Sequence, residues 1–121
     1  MPKYIRIENN ICEVLAEERT FNHLSERYEM NYLVEGDLWY NESEIIAGPT
    51  EDPKELCDEF MIFSDMESKK PLAIDTFYNI MTYYHEKDYV VFGSIWIIGE
   101  KGEPILVPVF KMNKEGKLCL I

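Results

Sequence analysis

The stretch Glu51 to Phe60, EDPKELCDEF, holds the densest group of side chains in the chain that could do chemistry. Cys57 is followed directly by Asp58 and Glu59, so this stretch could be a nucleophile site, a metal site or a charged helix surface. A nucleophilic cysteine needs a base, a cation or a helix N-terminus to lower its pKa, and adjacent carboxylates act in the opposite direction. We therefore expect Cys57 to be a structural thiol, and we predict no catalytic residue.

Metal and phosphate chemistry are not favoured by the spacing of the remaining residues. The chain contains no HExxH, no calcium-loop pattern and no CxxC, and its glycines form neither GxxxxGK nor GxGxxG. Acidic pairs such as Asp58-Glu59 are common on solvated helices. The sequence therefore predicts no metal site and no cofactor, and we expect that the protein is not an enzyme.

The charge of the chain is concentrated in its first half. The net charge is −11, and the segment from Glu8 to Glu67 carries seventeen acidic residues against three basic ones, a net charge of −14. Such a segment repels nucleic acid, whose binding depends on Lys and Arg contacts to phosphates, and it attracts basic surfaces. The charge thus predicts a basic protein surface as partner, with no direct binding of nucleic acid. The longest nearly unbroken apolar run, Tyr89 to Ile98, is too short to span a bilayer as a helix, so we expect no membrane partner.

Aromatic residues lie among these acids, including Trp39 and Tyr40 in the segment EGDLWYNESE. Tyr and Trp often anchor interfaces, so they could bind a partner. Alternatively, they fill the core side of strands while the acids face water. The candidate partner-binding residues are Glu51, Asp52, Glu55, Asp58, Glu59, Trp39 and Tyr40.

The elements that must position these residues include two predicted helices. Pro53 fits the first position of a short helix over about 53–59, with Thr50 or Asp52 as its cap. Apolar residues at three- and four-residue steps predict the main helix over about 72–86. The polar segment Ala16 to Arg27 is typical of either a short helix or a loop.

Strand patterns account for much of the remaining chain. They cover Tyr4–Ile7, Ile11–Leu15, Tyr28–Glu35, Leu38–Ile46, Phe60–Phe63, Tyr89–Ile98, Ile105–Phe110 and Lys117–Ile121. Pro104 and Pro108 cannot donate to a strand ladder, which predicts a bulge or an open segment there. For a chain of 121 residues we predict a single α+β domain, 1–121, with one antiparallel sheet of about five to seven strands.

The cysteines and the N-terminus predict the compartment. Three cysteines, an odd number, lie far apart, and the segment MPKYIRIENN lacks the apolar run of a signal peptide. This pattern favours free thiols in a reducing cytosol. We expect a cytoplasmic location.

Three segments carry a resemblance to known proteins: DPKELCDEFMIF, DTFYNIMTYY and the C-terminal YVVFGSIWIIGEKGEPILVPVFKMNKEGKLCLI. Together they resemble small uncharacterised proteins of phages and mobile elements of Gram-positive bacteria, over most of Lys3 to Ile121. The resemblance implies a bacterial or phage cytosol. No catalytic motif defines that group, so it implies a functional role for no residue here.

From the charge and this resemblance we expect a non-enzymatic acidic binding protein. One such protein is a phage or mobile-element inhibitor that occupies the nucleic-acid-binding surface of a host protein. The alternative is a small cytosolic accessory or structural domain, with homo-oligomers formed through the exposed edge of the closing strand, Leu118 to Ile121.

Overall fold

The computed structural model describes residues 1–84 and 88–121, which divide into two compact units. Met1–Leu56 form the N-terminal unit, and Cys57–Ile121 form the C-terminal unit. The prediction of a single domain over 1–121 stays a prediction. Within the described ranges, no helix has the length and apolar character needed to span a membrane.

Six antiparallel strands and two 3-10 turns build the N-terminal unit. The strands are β1 (Tyr4–Ile7), β2 (Asn10–Glu13), β3 (Ala16–Asn22), β4 (Arg27–Val34), β5 (Leu38–Asn41) and β6 (Ala47–Thr50), and the turns are Glu42–Glu44 and Pro53–Leu56. They form two three-stranded sheets in the orders β2-β1-β6 and β3-β4-β5. Ile5, Tyr32 and Val34 form the centre of a buried apolar cluster in this unit.

The C-terminal unit is a five-stranded antiparallel sheet with one helix. Its elements are β7 (Glu59–Phe63), β8 (Ala73–Asp75), α1 (Phe77–Tyr84), β9 (Val90–Ile98), β10 (Pro104–Met112) and β11 (Leu118–Leu120). The strand order is β11-β10-β9-β7-β8. Phe60 and Ile62 from β7, Ile80 from α1 and Val91 from β9 form its buried core.

The α+β class and the antiparallel pairing are confirmed, but the number of sheets differs from the prediction. In the described residues, eleven strands form three sheets instead of one sheet of five to seven strands. The 3-10 turn Glu42–Glu44 ends β5, and β6 then pairs with β1 instead of continuing beside β5. Which strand neighbours which depends on such long-range pairing, and an alternating pattern does not encode it.

The main helix is shorter at its start than the predicted 72–86. Ala73–Asp75 pair with β7 as a strand, so α1 begins only at Phe77. Thr76 caps α1, because its Oγ1 accepts the backbone N–H of Asn79 at 3.2 Å. The last two residues of the predicted range, 85 and 86, lie outside the described part of the chain.

Two further local predictions also change when long-range contacts form. The predicted helix over 53–59 is only the 3-10 turn Pro53–Leu56, because Asp58 already donates its backbone N–H to the Ser94 carbonyl at 2.9 Å. The segment Ala16 to Arg27, expected to be a helix or a loop, begins as strand β3 because it pairs residue for residue with β4. A bulge or an open segment is predicted at Pro104 and Pro108, and the register shifts between Pro108 and Phe110, whereas Pro104 pairs with Ile98 as the first residue of β10.

Gly93, on β9, is packed closely against neighbouring side chains of the C-terminal unit. A Cβ at this position would lie 2.6 Å from Cys57 Sγ and 3.2 Å from Phe60 Cε1. We expect Gly93→Ala to lower the free energy of unfolding by about 1–3 kcal/mol, because the neighbouring side chains must shift. Urea unfolding measures this loss. In a Cys57→Ala background the same substitution should lower stability by less, and equal losses in both backgrounds would contradict the contact.

Ser94 is fully buried on β9, and its hydroxyl has no hydrogen-bond partner among residues 1–84 and 88–121. A buried hydroxyl without a partner has lost its bonds to water without compensation. Ser94→Ala should therefore leave the free energy of unfolding unchanged or raise it by up to about 1 kcal/mol. The exposed Ser25→Ala is the control in urea unfolding. A loss of more than about 1 kcal/mol for Ser94→Ala would show that the hydroxyl is satisfied.

Candidate functional site

The five candidate acids of the stretch 51–59 fall on both sides of the boundary between the units. Glu51, Asp52 and Glu55 belong to the N-terminal unit, and Asp58 and Glu59 belong to the C-terminal unit.

Two of the N-terminal acids organise the 3-10 turn at Pro53–Leu56. Asp52 accepts the backbone N–H of Lys54 at 3.1 Å, and its other carboxylate oxygen lies 3.8 Å from Lys54 Nζ. Glu55 accepts the hydroxyl of Thr50 at 2.8 Å. Glu51, in contrast, is exposed and makes no side-chain hydrogen bond or ion pair in the described residues. Of these three carboxylates, Glu51 is the one that remains available to a partner.

Asp58 also has a structural bond in the C-terminal unit. Its Oδ2 accepts the backbone N–H of Trp96 at 2.8 Å, which extends the β7–β9 pairing beyond the last ladder residue. Glu59 is half-buried as the first residue of β7. Reversing the charge of Asp58 would therefore disturb the sheet as well as the surface charge.

The two candidate aromatics lie on opposite faces of β5. Tyr40 is half-buried and packs against the cluster of Ile5, Tyr32 and Val34. Trp39 points to the other face and keeps 46% of its surface exposed. The structure thus places Tyr40 at the core and leaves Trp39 accessible.

The face of β3-β4-β5 that carries Trp39 is described here as the Trp39 face. Its rows follow from the strand register and the alternation of side chains along each strand. They are Ala16–Leu33–Trp39, Glu18–Asn31–Asn41, Thr20–Glu29 and Asn22–Arg27. The first row is apolar and the others are polar, so an exposed indole lies beside an amide- and carboxylate-rich surface.

Glu29 is the centre of a hydrogen-bond network on this face. It is only 6% exposed, and its Oε1 accepts the side-chain amides of Asn22 at 2.7 Å and Asn41 at 3.3 Å. Its Oε2 lies 3.4 Å from Nη2 of Arg27. These bonds connect β3, β4 and β5. They hold the pKa of the Glu29 carboxyl below its usual range, with the Asn22 hydrogen bond as the largest cause.

The amides of the network are already used within the protein. Asn31 donates to the Thr20 hydroxyl at 2.8 Å, and Asn41 donates to the Asn31 side-chain oxygen at 3.1 Å as well as to Glu29. Arg27, the cation on this face, lies 3.4 Å from Glu29 and 4.0 Å from Glu42. The Trp39 indole and the exposed Glu18 carboxylate have no hydrogen bond or ion pair to the described residues, whereas Arg27 is paired and keeps 62% of its side chain exposed.

The cations of the N-terminal unit all have partners within that unit. Lys3 pairs with Glu17, Arg27 with Glu29, and Lys54 with Asp52. Arg6 donates to the Leu56 carbonyl at 3.4 Å, and the Arg19 guanidinium lies 4.4 Å from the centre of the Tyr28 ring. This unit holds thirteen acidic and five basic residues, a net charge of −8.

Seven exposed carboxylates of this unit have neither an ion pair nor a side-chain hydrogen bond to any described residue. They are Glu8, Glu13, Glu18, Glu26, Glu35, Asp37 and Glu51. Their charges are neutralised by no neighbouring Lys or Arg in the described ranges. The N-terminal unit therefore presents a net negative surface.

Nucleophile and metal chemistry have little support in the positions of the side chains. Among the described residues, Cys12, Cys57 and Cys119 form no disulfide bond, and burial raises the pKa of Cys12, which disfavours its thiolate. Across residues 1–84 and 88–121, no group of three or more His, Cys, Asp or Glu side chains is arranged to hold a metal ion.

Glu18, Leu33 and Glu29 were not among the residues selected from the sequence. Alternation in the segment RYEMNYLV could have placed Glu29 and Leu33 on one face of a strand. Glu18 could not be found this way, because its segment was interpreted as a helix or a loop.

Comparisons with protein-family models, with curated proteins and with solved structures find no match to this chain.

The lowered pKa of Glu29 predicts how acid affects the stability of the N-terminal unit. Because the folded pKa lies below the unfolded one, the ionised carboxylate stabilises the fold fully above about pH 4.5, the ordinary pKa of a glutamate. This stabilisation is lost as the pH falls through the folded pKa. In the Glu29→Gln variant, the free energy of unfolding should therefore fall less between neutral and acidic pH than it does in the unmodified chain.

Unfolding by urea at a series of pH values tests this expectation, with the exposed Glu51→Gln as the control. Some acid sensitivity should persist in both variants, because Asp75 also has a lowered pKa, caused mainly by its hydrogen bond from Asn79. If Glu29→Gln and Glu51→Gln follow the same pH profile, Glu29 does not stabilise the sheet as an anion.

Proposed function

We propose that this chain is a non-enzymatic binding protein whose N-terminal unit engages a basic surface of another protein. One observation carries the proposal: every cation of this unit has a partner within it, while seven exposed carboxylates have none among the described residues. Such a surface attracts Lys- and Arg-rich proteins and repels phosphate backbones.

The partner class that fits this charge is a nucleic-acid-handling protein of the cytoplasm. Grooves that bind DNA or RNA carry Lys and Arg for the phosphates, so an acidic protein competes for the same groups. The resemblance to phage and mobile-element proteins supports an inhibitor of a host protein of this kind. On this proposal, the bound chain blocks the groove and performs no chemistry.

The experiment is an affinity capture from the native host after nuclease treatment, at low and high salt, read by mass spectrometry. We expect a basic partner that is recovered at low salt and lost at high salt, because exposed charges are screened. The triple variant Glu13→Lys, Glu35→Lys and Glu51→Lys should lose the partner at low salt. These three side chains are exposed and make no bonds to described residues, so the fold should persist.

The matched control changes the net charge by the same amount in the C-terminal unit. It is the triple variant Glu67→Lys, Glu100→Lys and Glu115→Lys, all at exposed positions. This control variant should still capture most of the partner at low salt. If both triple variants lose the partner equally, binding depends on the net charge of the chain and not on the surface of the N-terminal unit. If the unmodified chain captures no basic partner at either salt, the proposal is wrong.

The alternative, an accessory domain that forms homo-oligomers, has one observation in its favour. Strand β11 lies at the edge of the five-stranded sheet, and Leu120 and Ile121 are exposed there. An exposed strand edge can pair with a second copy. A dimer mass by light scattering, with no captured partner, would favour this alternative.

A further inference from the structure

The Trp39 face combines an exposed indole with carboxylates, and its cation, Arg27, is paired with Glu29. Trp39 lies in the apolar row with Ala16 and Leu33, and its ring keeps nearly half of its surface in contact with solvent. The hairpin turn between β4 and β5 places Glu35 and Asp37 close to this row in sequence. Glu18 lies in the next row, on the far strand. Acidic residues thus lie in the turn that follows this row and in the next row on β3.

Two other kinds of ligand fit this face less well. A sugar would need free amide donors and acceptors beside the ring, but the side-chain amides of Asn31 and Asn41 are already bound to Thr20, Glu29 and each other. A nucleobase could stack on the indole, but the carboxylates of Glu18, Glu35 and Asp37 would repel its phosphates. The remaining chemistry is that of a cation with a flat, weakly hydrated face.

An arginine side chain has these properties. Its guanidinium stacks on aromatic rings, and Trp is the most favourable ring for a cation. It also forms charge-assisted hydrogen bonds with carboxylates. Glu18 on β3 lies two strand spacings across and one row along from Trp39 on β5, about 12 Å away, which an extended chain spans in about three to four residues.

We propose that the Trp39 face binds an arginine-bearing extended segment of the basic partner. One arginine stacks on Trp39, and neighbouring arginines face Glu18 on one side and Glu35 and Asp37 on the other. This inference rests on the proposed function and adds to it the surface and the side chain that are recognised.

The test uses the full chain, labelled with 15N, and a synthetic peptide of sequence Arg-Ser-Arg-Ser-Arg with blocked ends. The two tryptophans give two indole N–H signals, and Trp96, 43% exposed in the C-terminal unit, is the internal reference. At low salt we expect a saturable shift of the Trp39 signal and a small or absent shift of the Trp96 signal. The lysine version of the peptide should bind more weakly, and the neutral citrulline version should not shift Trp39.

The variants separate a specific site from general attraction between charges. Trp39→Ala should weaken binding of the arginine peptide roughly two- to five-fold, the size expected for an exposed cation–π contact. Trp96→Ala, a substitution of the same type, should leave the affinity unchanged. Glu18→Gln should weaken the arginine peptide and reduce the dependence of its affinity on salt. Unchanged backbone amide signals away from each substitution confirm that the variants fold.

The inference is wrong if Trp39→Ala binds the peptide as the unmodified chain does, or if the shifts spread evenly over the acidic surface. Failure of the inference and failure of the proposed function give different results. A salt-sensitive basic partner captured equally by Trp39→Ala and the unmodified chain overturns the Trp39 site and keeps the function. Capture of no basic partner by the unmodified chain overturns the function.

Discussion

The polar side chains of the β3-β4-β5 sheet are organised by the hydrogen bonds and the ion pair of one carboxylate, that of Glu29. It is nearly buried on a sheet face, and a buried charge is tolerated only when it is paired and hydrogen-bonded. Asn22 from β3, Arg27 from β4 and Asn41 from β5 supply those bonds, so one anion joins all three strands. Asn41 also caps the 3-10 turn that ends β5, which extends the network to the point where the chain leaves the sheet.

This use of polar groups determines which part of the surface is left for binding. Arg27 and the asparagine amides already form bonds around Glu29. The other cations of the N-terminal unit are engaged as well, by carboxylates, a carbonyl or an aromatic ring. The unit is negative because thirteen acidic residues outnumber five basic ones, and pairing of those five leaves seven exposed carboxylates without a partner among the described residues. On the Trp39 face, the indole of Trp39 is a large aromatic surface that is exposed to solvent.

Carboxylates that look alike in the sequence have different roles in the structure. Within the stretch 51–59, Asp52 and Glu55 stabilise a tight turn and Asp58 extends a strand pairing, whereas Glu51 is free of such bonds in the described residues. Composition counts all of them equally toward a binding surface. Local hydrogen bonds distinguish acids that stabilise the fold from acids that can bind a partner. A carboxylate that accepts a backbone N–H would have to break this bond to reach a partner, which would lower the stability of the fold.

The sequence by itself determined the α+β class, the antiparallel strands of the last third, the bulge near Pro108 and the acidic charge of the first half. These features depend on local alternation, proline chemistry and composition. Only the tertiary structure decided that Ala16–Asn22 is a strand, that α1 begins at Phe77, and that Trp39 is exposed while Tyr40 packs at the core. Each of these depends on pairing between distant segments, and a shift of one residue in that pairing would move every side chain of a strand to the other face.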